Sequence, residues 1–201
     1  DLHSFPTRRS SDLHIGGPSV KPYQPNGLWE LASSGRGVLA SYRQDHKDAL
    51  YRRGLYNFIK LTVPPPRMIM FDASNRDQCE VKRLQTNTPL QALVMMNDPA
   101  VLEASRVFAQ KLLSKPGSVE EKIDLAFRSI ICRKPAEKEK KLLQELYNDQ
   151  FQLFEQKKQD PAVILKNGEY PQDANINMNQ SAALMKVIST IYNMEEAIMK
   201  T

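Results

Sequence analysis

The sequence lacks most of the features that reveal a protein's chemistry. Cysteine occurs only at Cys79 and Cys132, which excludes a disulfide-dense scaffold and a four-cysteine zinc site. No apolar run reaches the roughly eighteen residues of a transmembrane helix, so we predict no membrane span. A Cys-x-x-Cys-His haem motif, a glycine-rich phosphate loop, His-Glu-x-x-His and Gly-x-Ser-x-Gly are all absent. The sequence therefore offers no catalytic motif, no metal site and no cofactor site, and leaves open whether the chain is an enzyme.

What the sequence does contain is a globular composition and a local excess of positive charge. Hydrophobic residues make up 41% of the 201 residues and charged residues 25%, which fits about one domain with a sizeable core. The formal net charge of +5 lies almost entirely in residues 42–90, where nine lysines and arginines stand against five acidic residues. This excess is too small for a dedicated nucleic-acid binder, and no helix-turn-helix or zinc-finger pattern accompanies it. We therefore predict no nucleic-acid partner.

Residues 1–13 match one translated reading frame of a short-read sequencing adapter over their full length. The alternative is a natural polar tail, which is the usual state of a chain end. We favour the adapter and leave these residues out of the fold reasoning. On this interpretation the natural sequence starts near His14, and the chain is a C-terminal fragment of a larger protein.

Residues 14–87 are rich in glycine and proline, which favours loops and short extended segments over long helices. Within this segment, apolar residues recur at helical intervals and predict one helix near 46–61. The prolines at 64–66 must end that helix, because a proline restricts the backbone of its predecessor and lacks an N–H donor. Trp29 is the only tryptophan, and we expect it to be a buried anchor.

From residue 88 onward the sequence predicts a series of helices with N-terminal capping patterns. These patterns are Thr88-Pro89-Leu90-Gln91, Asp98-Pro99, Ser118-Val119-Glu120-Glu121 and Asp160-Pro161. A last helix carries an apolar stripe from Leu184 to Ile198, and no alternating strand pattern interrupts the series. We therefore predict a mainly α fold in which an antiparallel helical bundle, over about 88–199, forms one domain with residues 14–87.

Two polar stretches of the basic segment form the candidate site, because binding residues concentrate on loops held by a scaffold. The candidate binding residues are Arg52, Arg53, Asp72, Arg76, Arg83 and Asn87. Arginine forks bind carboxylate or phosphate, so one alternative is a site for an anionic or carbohydrate ligand. The other alternative is internal packing, in which the arginines bond to carboxylates and backbone carbonyls. If the segment forms a ligand-binding site, the arginines should instead converge with Asp72 or Asp77 on one open pocket.

The sequence also contains several long ordered motifs. These motifs are Gly-Gly-Pro-Ser-Val-Lys-Pro-Tyr-Gln-Pro-Asn-Gly-Leu-Trp-Glu (16–30), Leu-Tyr-Arg-Arg-Gly-Leu-Tyr (50–56), Pro-Pro-Pro (64–66), Phe-Asp-Ala (71–73), Thr-Asn-Thr-Pro-Leu-Gln-Ala-Leu (86–93), Asn-Asp-Pro (97–99) and Asn-Met-Glu-Glu (193–196). Together they resemble the planctomycete-specific domain one family, domain of unknown function 1553. The similarity spans residues 14–199. The sequence departs from the family wording at Phe58-Ile59-Lys60 and at Ser74.

The resemblance implies a setting but no established reaction. Such domains form the C-terminal part of large exported proteins that often carry an upstream c-type cytochrome module. The resemblance therefore implies a periplasmic or cell-surface location. It also implies that this chain holds no cofactor and that any haem is bound by the missing upstream domain. Our leading interpretation is a non-catalytic helical module that packs against that domain or binds a partner. The alternative is that its Arg and Asp residues contribute to a hydrolytic or sugar/anion-binding active site shared with the upstream domain.

Overall fold

The computed structural model describes residues 15–31, 40–60, 62–74, 81–82 and 86–199. Across these ranges the backbone is mainly helical, and extended pairing is limited to two isolated bridges. The prediction of a mainly α fold is therefore confirmed. The chain divides between Val94 and Met95 into two compact units, which we call the N-terminal unit and the helical unit. The folding of residues 14–201 as one domain stays a prediction.

The N-terminal unit consists mostly of loops with short helical pieces. These pieces are α1 (Leu28–Leu31), 3-10 turns at Lys47–Tyr51 and Gly54–Tyr56, α2 (Pro66–Met70) and the start of α3 (Pro89–Asn97). The loop content follows from the glycine and proline content, since neither residue favours a helix interior. The third of the prolines at 64–66 begins α2, where its missing N–H costs no intrahelical hydrogen bond.

The single helix predicted near 46–61 is replaced by the two 3-10 turns. Between them Arg52 takes an extended conformation, with φ −76° and ψ 153°. After the second turn the backbone pairs with Val20, whose N–H donates to the Tyr56 carbonyl and whose carbonyl accepts from the Phe58 N–H, both at 2.8 Å. This bridge uses the backbone groups that a continuing helix would need. Long-range pairing therefore overrides the helical spacing of the apolar residues.

Trp29 anchors the small core of the N-terminal unit, as the sequence predicts. Its side chain is only 2% exposed, and its ring centroid lies 5.2 Å from that of Tyr42 and 6.0 Å from that of Phe58. Tyr42 donates a hydrogen bond from its hydroxyl to the Pro22 carbonyl at 2.5 Å. Burial, followed by the nearby carboxylate of Asp45, raises the pKa of Tyr42 above its ordinary value. These contacts tie three loop segments to one aromatic cluster.

The helical unit is a bundle built around one central helix. Its helices are α4 (Pro99–Leu113), α5 (Val119–Ile131), α6 (Glu137–Glu155), α7 (Pro161–Leu165), α8 (Met178–Tyr192) and α9 (Glu195–Ile198). Helix α8 packs against α4, α5, α6 and α7, and its buried residues cover nearly every side of the helix. A helix that is apolar on all sides belongs in the interior, so α8 forms the core of the bundle.

The helix ends confirm the capping patterns found in the sequence. Asp98 and Asp160 accept backbone N–H groups at the starts of α4 and α7, and Ser118 with Glu121 forms a reciprocal capping box on α5. The last apolar stripe is divided in two, because Met194 takes an extended conformation between α8 and α9. The predicted single last helix is therefore wrong at its C-terminal end.

Candidate functional site

Arg52 is the most buried of the predicted site residues that the structure describes. It lies between the two 3-10 turns and is 8% exposed. Its guanidinium carbon stacks 3.8 Å from the centroid of the Tyr56 ring, and its Nη2 donates to the Gly16 carbonyl. A planar guanidinium can satisfy an aromatic face and a carbonyl at the same time. Arg52 therefore holds the segment around Gly16 against the second turn, as the packing alternative predicts.

Tyr56 joins the same cluster, although sequence reasoning treated it only as an apolar helix position. The Gly16 N–H donates to the Tyr56 hydroxyl oxygen at 2.9 Å, and the Arg52 guanidinium covers one face of the ring. The Gly16 hydrogen bond, followed by the charges of Arg52 and Arg53, lowers the pKa of Tyr56. The available signal in the sequence was the arginine pair just before this tyrosine, but only the bridge to Val20 brings Gly16 close.

Asp72 forms a second cluster, at the end of α2. Its backbone has a positive φ of 54°, a conformation that Asp tolerates better than most residues. Its carboxylate accepts from the Thr86 N–H at 2.7 Å and from the Thr86 hydroxyl at 2.9 Å. Gln91 donates to the same hydroxyl at 3.2 Å and to the Met70 carbonyl at 2.8 Å. Asp72 thus fastens the start of α3 to the end of α2.

The remaining members of the predicted site give no evidence for a shared pocket. Asn87 is exposed, and Arg76 and Arg83 lie outside the described residues, as does Cys79. The described contacts of Arg52 and those of Asp72 involve different residues. The convergence of all six residues on one ligand therefore stays a prediction.

A buried ion pair in the helical unit was missed by the sequence reasoning. Glu103 and Arg106, one turn apart on α4, are both fully buried, with Arg106 Nη2 lying 3.8 Å from Glu103 Oε1. Both side chains hold the loop after α7. Glu103 accepts from the Tyr170 N–H at 2.5 Å, while Arg106 donates to the carbonyls of Tyr170 at 2.6 Å and Asn167 at 3.2 Å. These bonds compensate the desolvation of two charges, which gives the pair a structural role.

Arg133 forms a second structural network after the end of α5. Its guanidinium binds Glu139 and Glu196 through paired hydrogen bonds of 2.7–2.8 Å. The Arg133 bonds, followed by the Ala136 N–H, lower the pKa of Glu139 to about 2, and Arg133 also lowers the pKa of Glu196. The arginine thereby joins α6 and α9 to the end of α5.

Across the residues that the structure describes, no helix is long and apolar enough to cross a lipid bilayer. The same residues include no group of three or more His, Cys, Asp or Glu side chains arranged to hold a metal ion. Cys132 is a free, exposed thiol at the left-handed C-cap of α5. Asp72, the Glu103–Arg106 pair and Arg133 bond to backbone groups or to one another. We call these three sets of contacts the structural clamps.

A family model described as PSD1, protein of unknown function (DUF1553), matches residues 7–147 of the chain. The chain belongs to this family. The resemblance in the sequence is therefore confirmed, while no curated protein and no solved structure matches the chain significantly. The PSD1 match includes both clusters of the N-terminal unit and the buried pair of α4, whereas the loop that this pair holds, at 167–170, lies beyond it.

Proposed function

We propose that this PSD1 chain is a non-catalytic, mainly helical module that binds a partner domain through its N-terminal unit. The supporting observation is the ratio of buried to exposed apolar side chains. Among the described residues, the N-terminal unit buries five hydrophobic side chains and exposes seven large ones, whereas the helical unit buries 22 and exposes six. A unit that exposes more large apolar side chains than it buries is suited to pack against another surface.

The polar residues of the N-terminal unit support the same proposal. Arg52, Asn57 and Gln91 are buried, while Leu31 is 88% exposed and Leu55 is 73% exposed. The buried groups Arg52 and Gln91 bond to backbone carbonyls, which is the pattern expected of packing. Covering one exposed leucine stabilises a complex by about 1.5–3 kcal/mol. The exposed leucines therefore supply the binding free energy, and the buried polar groups set the shape of the loops.

The partner in this proposal is the upstream domain of a large exported protein, located in the periplasm or at the cell surface. This setting rests on the family resemblance, and any haem lies on that upstream domain. The alternative of a shared hydrolytic or sugar/anion-binding active site receives less support, because the guanidinium of Arg52 is stacked and buried.

The test measures binding between this chain and the region that precedes it in the full-length protein, produced separately. We expect Leu55→Glu to weaken binding by more than about tenfold, because it replaces an apolar contact worth more than about 1.4 kcal/mol with a charge. It should leave the melting temperature of the chain alone unchanged, because the side chain is already exposed.

The matched control is Leu142→Glu, which changes a leucine that is 64% exposed on α6 of the helical unit. It should affect neither binding nor melting. Failure of the two parts to bind, or equal weakening by both variants, would contradict the proposal.

Trp29 provides a second measurement, because it reports on the N-terminal unit alone. Its fluorescence should change at a lower temperature than the helical circular dichroism signal. Addition of the preceding region should raise the Trp29 transition, since a ligand that binds only the folded unit stabilises it. Coincident transitions that the preceding region leaves unchanged would argue against a unit that needs a partner.

A further inference from the structure

An asparagine followed directly by a glycine occurs twice in the chain, at Asn26-Gly27 and at Asn167-Gly168. Asparagine is a chemically labile residue, because the backbone nitrogen of the next residue can attack its side-chain amide carbon. The reaction is easiest before glycine, since the missing Cβ leaves the nitrogen accessible and the backbone able to rotate. The local sequence therefore gives both pairs similar reactivity, and a large difference between them must come from the fold.

The pair at Asn167-Gly168 is held by its surroundings. The Asn167 side chain donates from Nδ2 to the Ile164 carbonyl at 2.8 Å, and the Asn167 main-chain carbonyl accepts from Arg106 Nε at 3.2 Å. A Cβ on Gly168 would overlap the buried carboxyl group of Glu103, so the backbone has no room to change shape. Attack on the Asn167 side chain therefore requires that this loop first opens locally.

The pair at Asn26-Gly27 lies in a different environment. Both residues are exposed, in the turn that precedes α1, and no hydrogen bond to another described residue holds the Asn26 side chain. Gly27 has a φ of +80°, and a Cβ added to it would meet nothing within 4 Å. The Asn26 side chain can therefore turn toward the Gly27 nitrogen without any opening of the fold.

We propose that Asn26 is a site of spontaneous deamidation and that the fold protects Asn167 from the same reaction. The Gly27 nitrogen bonds to Asn26 Cγ while the Cγ–Nδ2 bond breaks, and ammonia leaves with the proton of the Gly27 amide. Water then opens the resulting succinimide ring at either carbonyl, which gives aspartate or isoaspartate. The reaction exchanges ammonia for water, so it needs no oxidant, reductant or cofactor.

The reaction changes the chain at the start of α1. Both products carry a negative charge, and isoaspartate also inserts a methylene into the main chain immediately before Gly27, whose carbonyl accepts from the Leu31 N–H at 3.0 Å. Helix α1 carries Trp29, whose ring lies against those of Tyr42 and Phe58. The inserted methylene therefore displaces the anchor of the N-terminal unit and lowers the stability of that unit.

The test incubates the folded chain at mildly alkaline pH and follows both pairs by peptide mass spectrometry, with isoaspartyl methyltransferase labelling to identify isoaspartate. We expect Asn26 to react at least about tenfold faster than Asn167, because opening the Asn167 loop costs free energy that Asn26 does not need. In concentrated urea the two rates should become similar, because the fold no longer protects Asn167. Equal rates in the folded chain, or a difference that urea leaves unchanged, would overturn the proposal.

The matched variant is Asn26→Gln, which keeps an exposed amide but places it one methylene further along the side chain, so that the succinimide can no longer form. It should show no mass change at position 26. Followed by Trp29 fluorescence, the aged chain should unfold at a lower temperature than the fresh chain, whereas aged Asn26→Gln should not. An unchanged Trp29 transition in the deamidated chain would contradict the assigned effect on α1. These results come from the chain alone, so they leave the Leu55→Glu test of partner binding unaffected.

Discussion

Replacing Gly168 with alanine tests whether the buried pair of α4 fixes the loop after α7. Gly168 has a φ of +83°, a conformation that strains any residue with a Cβ atom. A Cβ at this position would also overlap the carboxyl group of Glu103. That carboxyl group cannot move freely, because it accepts the Tyr170 N–H at 2.5 Å and lies beside Arg106 in the interior. The substitution therefore strains the backbone at residue 168 and displaces the carboxyl group of the Glu103–Arg106 ion pair.

The expected cost follows from these two effects. A non-glycine residue in the left-handed region costs roughly 1–2 kcal/mol, and overfilling a packed interior costs roughly 1–3 kcal/mol. We expect Gly168→Ala to lower the free energy of unfolding by about 3 kcal/mol. For a unit of about 100 residues, such as the helical unit, that corresponds to a decrease of roughly 12–24 °C in melting temperature. Circular dichroism at the helical wavelength measures it directly.

The matched control is Gly27→Ala, because Gly27 has a similar φ of +80° but nothing lies within 4 Å of the added Cβ. It should show only the backbone cost. Combining Gly168→Ala with Glu103→Ala removes the overlapping carboxyl group, so the double variant should lose less stability than the sum of the single losses. Equal losses at the two glycines, or strict additivity with Glu103→Ala, would refute the reasoning.

Two further predictions concern the clamps. Because the folded pKa of Glu139, about 2, lies below its ordinary 4.5, the pairing with Arg133 stabilises the fold above pH 4.5 and is lost as the pH falls toward 2. Arg133→Gln should therefore lower the melting temperature at pH 7 but not at pH 2, and equal decreases at both pH values would contradict this. Asp72→Ala should cost about 0.5–1.5 kcal/mol in urea unfolding, because it replaces the hydrogen bond of the exposed Thr86 N–H by one to water, and it keeps the positive φ. Asp72→Gly should cost less stability, because glycine adopts a positive φ without the steric cost that alanine incurs. A larger loss of stability for Asp72→Gly than for Asp72→Ala would contradict this reasoning.

The helical unit could be predicted from the sequence because its signals are local. A capping residue such as Ser118 bonds to the N–H of Glu121 three residues later, so the pattern and the contact lie in the same stretch of chain. The same holds for Asp98 at the start of α4. The apolar spacing of these helices likewise marks the buried face, since 3.6 residues make one turn.

The contacts of the clusters could not be predicted in this way, because their partners are distant in sequence. Glu103 and Arg106 read as ordinary exposed helix residues, and only the return of the chain to Tyr170, 67 residues after Glu103, buries and satisfies them. Tyr56 gains its hydrogen bond from Gly16, which lies 40 residues earlier. The sequence could nominate Arg52 and Asp72 as chemically capable, but it could not show whether their partners are ligands or backbone.

Four features of this protein follow from the sequence alone, namely the helical class, the capped starts of α4, α5 and α7, the buried anchor Trp29 and the family. They do so because helix propensity, capping and apolar periodicity act over a few residues. Only the folded chain shows that 46–61 forms two 3-10 turns, that Glu103 and Arg106 are buried, and that Tyr56 contacts Gly16 and Arg52. Each of these features depends on contacts between segments that are distant in sequence. No local sequence pattern encodes the free energy of such contacts.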